Sequence, residues 1–147
     1  RYDEAAMVLP PNWLPEHPFE HGNLRGRDEL LLPWPRTPAM IRDLLRMYYT
    51  VISDMDAQIG RILKALDDEG ERDDTLVIFA SDHGMGVGSH GLRGKQSMYE
   101  HTINGPLIVA GPGVKGGGRR TRAQVYLRDL FPTTCDLAGV ALASGQE

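Results

Sequence analysis

Five consecutive apolar residues, Leu76, Val77, Ile78, Phe79 and Ala80, constrain the fold more than any other feature of this chain. An uninterrupted apolar run of this length has the pattern of a strand covered on both faces, and such strands belong to parallel sheets flanked by helices. The run stops at Ser81-Asp82-His83-Gly84, which puts two reactive side chains at the carboxyl end of a strand, where open α/β sheets gather their ligands. Gly84, Gly86, Gly88, Gly91 and Gly94 follow, and they permit left-handed backbone and close approach of the main chain to a ligand. A site for an anion and a metal suits this arrangement.

Upstream, Thr37-Pro38 is a helix start, a cap followed by a first-turn proline. Ile41, Leu44, Leu45, Tyr48, Ile52, Met55, Ile59, Ile62, Leu63 and Leu66 then recur at three- and four-residue intervals, one apolar stripe on a helix that ends near Gly70. At about 1.5 Å per residue this helix runs roughly 45 Å. That is long for a small domain, and a partner surface beyond this chain would explain it. Gly60 inside the helix suggests a bend or a close packing contact. Downstream, Gln96–Thr102 reads as a short helix and Pro106–Ala110 as a second strand ended by Gly111-Pro112-Gly113. Gln124–Leu127 reads as a short third strand, and Asp129 as the cap of a last helix, Leu130–Ala138, before Gly139. The fold class is α/β. Three strands make a thin core, so the chain is expected to be part of a larger sheet.

Seven of the ten prolines lie at or before residue 38. Proline removes amide donors and holds its predecessor extended, so residues 1–37 are expected to be irregular, anchored on a surface by Trp13, Phe19 and Trp34. The expected organisation is that proline-rich segment, 1–37, packed on an α/β domain spanning 38–147.

Composition narrows the functional classes. With 41% hydrophobic and 24% charged residues the chain is globular, and a net charge of −4 provides no global positive field for nucleic acid. The local basic stretch Lys115, Arg119, Arg120, Arg122 and Arg128 reads as a solvated loop. No apolar run approaches the ~20 residues that span a bilayer. Cys135 is the single cysteine, which excludes an internal disulfide and a cysteine-based zinc site; it reads as a buried structural thiol. The start at Arg1 rather than Met suggests a processed or excised piece.

Asp82 and His83 pair a hard carboxylate oxygen with an imidazole nitrogen, donors suited to one divalent cation, although both also have a local use in the following turn. His90, in Gly88-Ser89-His90-Gly91, is a donor for an oxyanion or leaving group, or an exposed loop residue. Lys95 lies between glycine-rich backbone and a helix start, where an ammonium and free amides converge on sulfate or phosphate, or it is a surface lysine. Tyr99 is expected to position the segment by packing and Glu100 by pairing with a cation; His101 is a weaker candidate. His17 and His21, beside Glu20, read as solvated, and Asp54 and Asp56 diverge on the helix surface.

Five stretches then occur in one order: YYTVISDMDAQIGRILKAL, LVIFASDHG, GSHGLRGKQSMYE, PLIVAGPGV and VYLRDLFPTTCDLAG. Together they resemble the second half of a sulfatase catalytic domain, in the alkaline-phosphatase-like superfamily, over roughly residues 8–140. The resemblance implies a partial alkaline-phosphatase-like sandwich, mostly parallel strands with flanking helices, from an enzyme that hydrolyses sulfate esters. It implies Asp82 and His83 as metal ligands, calcium being the usual ion and manganese or zinc conceivable beside an imidazole. Lys95 matches the lysine that neutralises the sulfate, and His90 a second active-site histidine. A periplasmic, secreted or lysosome-like compartment would be compatible.

The resemblance also implies a formylglycine made from Cys or Ser in Cys/Ser-x-Pro-x-Arg, and this chain has no such motif, because Cys135 precedes Asp136-Leu137-Ala138. The family's paired amino-terminal aspartates are missing, and Ile103-Asn104-Gly105-Pro106 replaces an Arg-Val-Pro-like sequence. The expectation is a fragment, inactive alone, whose partners are a sulfate ester and the remainder of the parent catalytic domain. Two other readings share these residues: a phosphodiester or phosphonate monoester hydrolase of the same superfamily, and a non-catalytic metal- or anion-binding module.

Overall fold

The structure, a computed structural model, describes residues 2–20, 22–115 and 117–142. Helix α1 spans Pro38–Asp68. Thr37 Oγ1 accepts from Met40 N at 3.3 Å and Pro38 fills the first turn, as the sequence predicts. The other end closes by backbone geometry. Gly70 adopts φ +73°, Gly70 N donates to Asp67 O at 3.2 Å, and Glu71 N donates to Leu66 O at 2.9 Å, which ties off the last carbonyls.

Strand β1 is Val77–Ala80, helix α2 is Glu100–Ile103, strand β2 is Leu107–Ala110 and helix α3 is Leu130–Leu137. The strands pair antiparallel, Val77 with Ala110 through Ala80 with Leu107. This corrects the expectation of parallel strands. A parallel return needs a crossover of a dozen or more residues that carries the chain back along the strand. Here the intervening helix has only four residues, and Ser81 N→Pro106 O (3.2 Å) and Gly84 N→Thr102 O (2.8 Å) fold the chain back at the carboxyl end of β1. All four β1 residues are half-buried, not covered on both faces.

The third strand does not form. Residues 121–126 have no regular structure, and Leu127–Asp129 make a 3₁₀ turn leading into α3. Asp129 Oδ2 accepts from Tyr126 N at 2.8 Å, so the carboxylate closes that turn instead of capping α3. The short helix starts at Glu100 and not at Gln96, since Gln96 Nε2 is held by Asp28 Oδ2 (3.2 Å) and Ser97 Oγ meets Thr102 Oγ1 (2.9 Å). Cys135 is half-buried.

The core lies where the amino-terminal third of α1 meets the glycine loop. Ile41, Leu45 and Val87 are buried there, with Met7, Leu9, Trp13, Leu32, Leu44, Tyr48 and Met85 packed around them. Farther along α1 the stripe faces the hairpin across an apolar groove of about 320 Å³ that includes Ile52, Met55, Ile59, Val77, Phe79 and Ile108. Gly60 faces open space, so neither a close contact nor a packing role explains it.

Candidate active site

The glycine loop is folded on itself and against the proline-rich segment. Gly86 N→Gly94 O and Gly88 N→Leu92 O, each 2.8 Å, close it into a narrow ribbon. At Gly91 a β-carbon would lie 2.5 Å from the carbonyl carbon of Glu16, and the glycine takes φ +72°, so this crossing admits no side chain.

A buried ion pair, unforeseen from sequence, supports the loop. Glu29 and Arg36 are 2% and 1% exposed, and Arg36 Nη2 donates to Glu29 Oε2 at 2.6 Å. The carboxylate also accepts from Gly94 N (2.7 Å) and Arg93 N (3.0 Å), while Arg36 Nη1 donates to Gly91 O. The Arg36 guanidinium lies 4.8 Å from the Trp34 ring centroid. With Gly94 held by Glu29 and Gln96 by Asp28, Lys95 is fixed on both sides along the backbone. Its side chain is half-buried and forms no hydrogen bond or ion pair among the described residues.

Asp82 and His83 stand together at the end of β1. Asp82 Oδ1 accepts from His83 N at 2.9 Å, and Asp82 Oδ2 lies 3.4 Å from His83 Nε2. His83 Nδ1–H donates to Gly84 O at 3.0 Å, which leaves Nε2 as the ring atom turned toward the carboxylate. The pair lies open to solvent, with the Asp82 side chain 77% exposed and that of His83 32%. Donors at right angles, each about 2.4 Å from one ion, lie about 3.4 Å apart, so the pair fits two places in the shell of a hard cation. No cluster of three metal-binding side chains exists among the described residues.

His90 occupies a second corner. It adopts φ +54°, unusual for a residue other than glycine, and its N–H donates to Asn12 O at 2.9 Å. Asn12 Nδ2–H donates to His90 Nε2 at 3.0 Å and His17 Nδ1–H donates to His90 O at 2.7 Å. Tyr99 stacks on the imidazole at 4.0 Å and 13°, and His101 lies 5.8 Å from it. His17 is therefore buried against this corner rather than solvated, edge-on to Tyr99 and Phe19. His21 lies outside the described residues. Glu100 Oε1 accepts from Asn104 Nδ2 at 2.7 Å and holds no cation among the described residues. Burial, and secondarily the neighbouring His90, push the His101 imidazole below its ordinary pKa, with Glu29 opposing.

Asn12, His90, Glu100 and His101 rim an open cavity of about 460 Å³ together with Pro11, Ser89 and Asn104, and Asp82, His83 and Lys95 are not among its lining residues. The two corners adjoin through residues 101 and 102. Gly84 N donates to Thr102 O, and a β-carbon on Gly84 would sit 2.0 Å from His101 O. No direct bond links Asp82 or His83 to His90 or Lys95.

A model of the sulfatase family matches residues 9–140. The chain belongs to the sulfatase family. Arylsulfatase K of Xenopus laevis is 34% identical over 138 residues, which is 92% of this chain and 25% of that protein. Arylsulfatase K of Danio rerio is 38% identical over 109 residues, 74% of this chain and 21% of the relative. Choline-sulfatase of Rhizobium meliloti (strain 1021) is 37% identical over 106 residues, 72% of this chain and 20% of its own length. The chain thus spans about a fifth to a quarter of these sulfatases. Among the described residues no helix is long and apolar enough to cross a membrane.

Proposed function

We propose that this chain carries the metal- and sulfate-binding part of a sulfatase catalytic site, and that the parent protein hydrolyses sulfate esters. The observation that carries the reading is the placement of Asp82-His83 at a strand end, spaced as two ligands of one cation, in a family member. A divalent cation, calcium by resemblance, would be held by Asp82 Oδ2 and His83 Nε2 and would polarise the sulfate oxygens. Lys95, half-buried and without a counter-ion among the described residues, binds a sulfate oxygen. His90, held by Asn12 and stacked on Tyr99, hydrogen-bonds the ester oxygen that leaves.

The formylglycine that the family implies has no counterpart here, because no Cys or Ser of the chain begins a Cys/Ser-x-Pro-x-Arg sequence. We assign the attacking group, and the remaining metal ligands, to the rest of the parent catalytic domain. The apolar groove between α1 and the hairpin is assigned to the same remainder as its packing surface.

Rates on matched sulfate and phosphate esters test the reading. In the full-length parent, Lys95→Ala is expected to lower kcat/KM for a chromogenic sulfate ester by about 10²–10³-fold, as for loss of one oxyanion-stabilising group. The isolated chain is expected to release no product. Turnover by these 147 residues alone, or an unaltered rate in the variant, overturns the reading. A preference for the phosphate ester transfers the site to phosphoryl chemistry.

A further inference from the structure

We propose that Asn12 is a positioning residue for His90. Its amide holds the imidazole in the form protonated at Nδ1, so the ring meets an anionic oxygen as a neutral donor. The inference rests on the reading of His90 as a substrate-facing group. It reaches a residue in the proline-rich segment, to which the sequence attaches no role.

Three ties fix the geometry. Asn12 Nδ2–H donates to His90 Nε2 at 3.0 Å, and an amide nitrogen has no lone pair to offer in return, so Nε2 must be the acceptor. His90 N–H donates to Asn12 O at 2.9 Å, which makes the same residue hold both backbone and ring. The adjoining pair Trp13 and Ser89 forms an antiparallel bridge, so Asn12 is placed by main-chain pairing and not by its side chain alone. Tyr99 covers the ring at 4.0 Å and nearly parallel, which restricts its rotation. The nitrogen that accepts a hydrogen bond decides where the neutral ring keeps its proton. Here that leaves the proton on Nδ1, whereas an unconstrained histidine side chain mainly carries it on Nε2.

The left-handed backbone at His90 agrees with a functional constraint. A φ of +54° at a non-glycine residue persists only where surrounding contacts over-determine it. His17 Nδ1–H supplies one such contact on His90 O. The titratable groups facing the ring are Tyr99 and His101, with His17 on the His90 carbonyl and Glu100 on the same cavity wall. None of them takes the place of the Asn12 amide at Nε2.

Long-range proton–nitrogen correlation spectra of the full chain test the inference without any turnover. At about pH 8, where imidazoles are neutral, His90 is expected to show a pyrrole-like Nδ1 and a pyridine-like Nε2. Asn12→Asp keeps the shape of the side chain but offers only acceptor atoms, and it is expected to invert the assignment so that Nε2 carries the proton. Asn12→Ala is expected to give a mixture of both forms. Wild-type His90 protonated at Nε2, or an unchanged tautomer in Asn12→Asp while only the Trp13 and Ser89 amides move, overturns the proposal and leaves Asn12 a structural tie. Loss of sulfate hydrolysis in Lys95→Ala reports on the sulfatase reading alone, so the two failures are separable.

Discussion

At the scale of single residues, Glu29 and Arg36 are the pair on which the loop's shape depends. Neither charge reaches solvent, and between them they hold the backbone at Gly91, Arg93 and Gly94. Removing one partner leaves the other charge buried without compensation, which costs about 3–5 kcal/mol. Glu29→Ala is therefore expected to lose about that much in urea unfolding, and to release the Gly94 amide to rapid hydrogen exchange. A loss below about 1 kcal/mol, the range of exposed ion pairs, contradicts the role. This pair was not legible in the sequence, because Glu29 meets the Arg93 amide across 64 residues and no local pattern marks the encounter. The place of Asp82 and His83 just past the end of β1 was legible, because the apolar run stops there. His17 was misread for the same reason Glu29 was missed: its burial comes from Tyr99 and His90, far along the chain.

At the scale of elements, periodicity carried real information about α1, whose cap, start and left-handed stop all follow from local chemistry. Strand direction was not available from the same source. An apolar run reports burial, while direction is decided by how the chain returns, and here one short turn of helix and two backbone hydrogen bonds return it antiparallel. The contact between α1 and the loop depends on Gly88, where a β-carbon would lie 2.7 Å from Ile41 Cγ2 at φ +97°. Gly88→Ala is expected to destabilise the chain by about 1–3 kcal/mol, the usual range for overpacking. Gly60→Ala, in open space on the same helix, is expected to stabilise it by about 0.5–1 kcal/mol through helix propensity. Thermal unfolding of the two variants in parallel makes the comparison, and a neutral Gly88→Ala would contradict the packing described.

At the scale of the molecule, residues 2–20 and 22–37 frame the glycine loop. Asn12, His17, Glu29 and Arg36 reach the glycine loop from four points along the segment. Proline content foretold an irregular path but not its destination, which depends on side chains that bond only once the loop is folded. Met47, Tyr49 and Val51 on α1 are exposed, and the chain spans a fifth to a quarter of its curated relatives. The central claim is that Asp82 and His83 are two ligands of one cation. Substoichiometric Mn²⁺, followed by paramagnetic broadening of backbone amide resonances, tests it most directly. The account requires broadening centred on Asp82 and His83, abolished by Asp82→Asn. Broadening confined to the exposed acidic stretch at Asp67, Asp68, Asp73 and Asp74, with Asp82 and His83 unaffected, would contradict it.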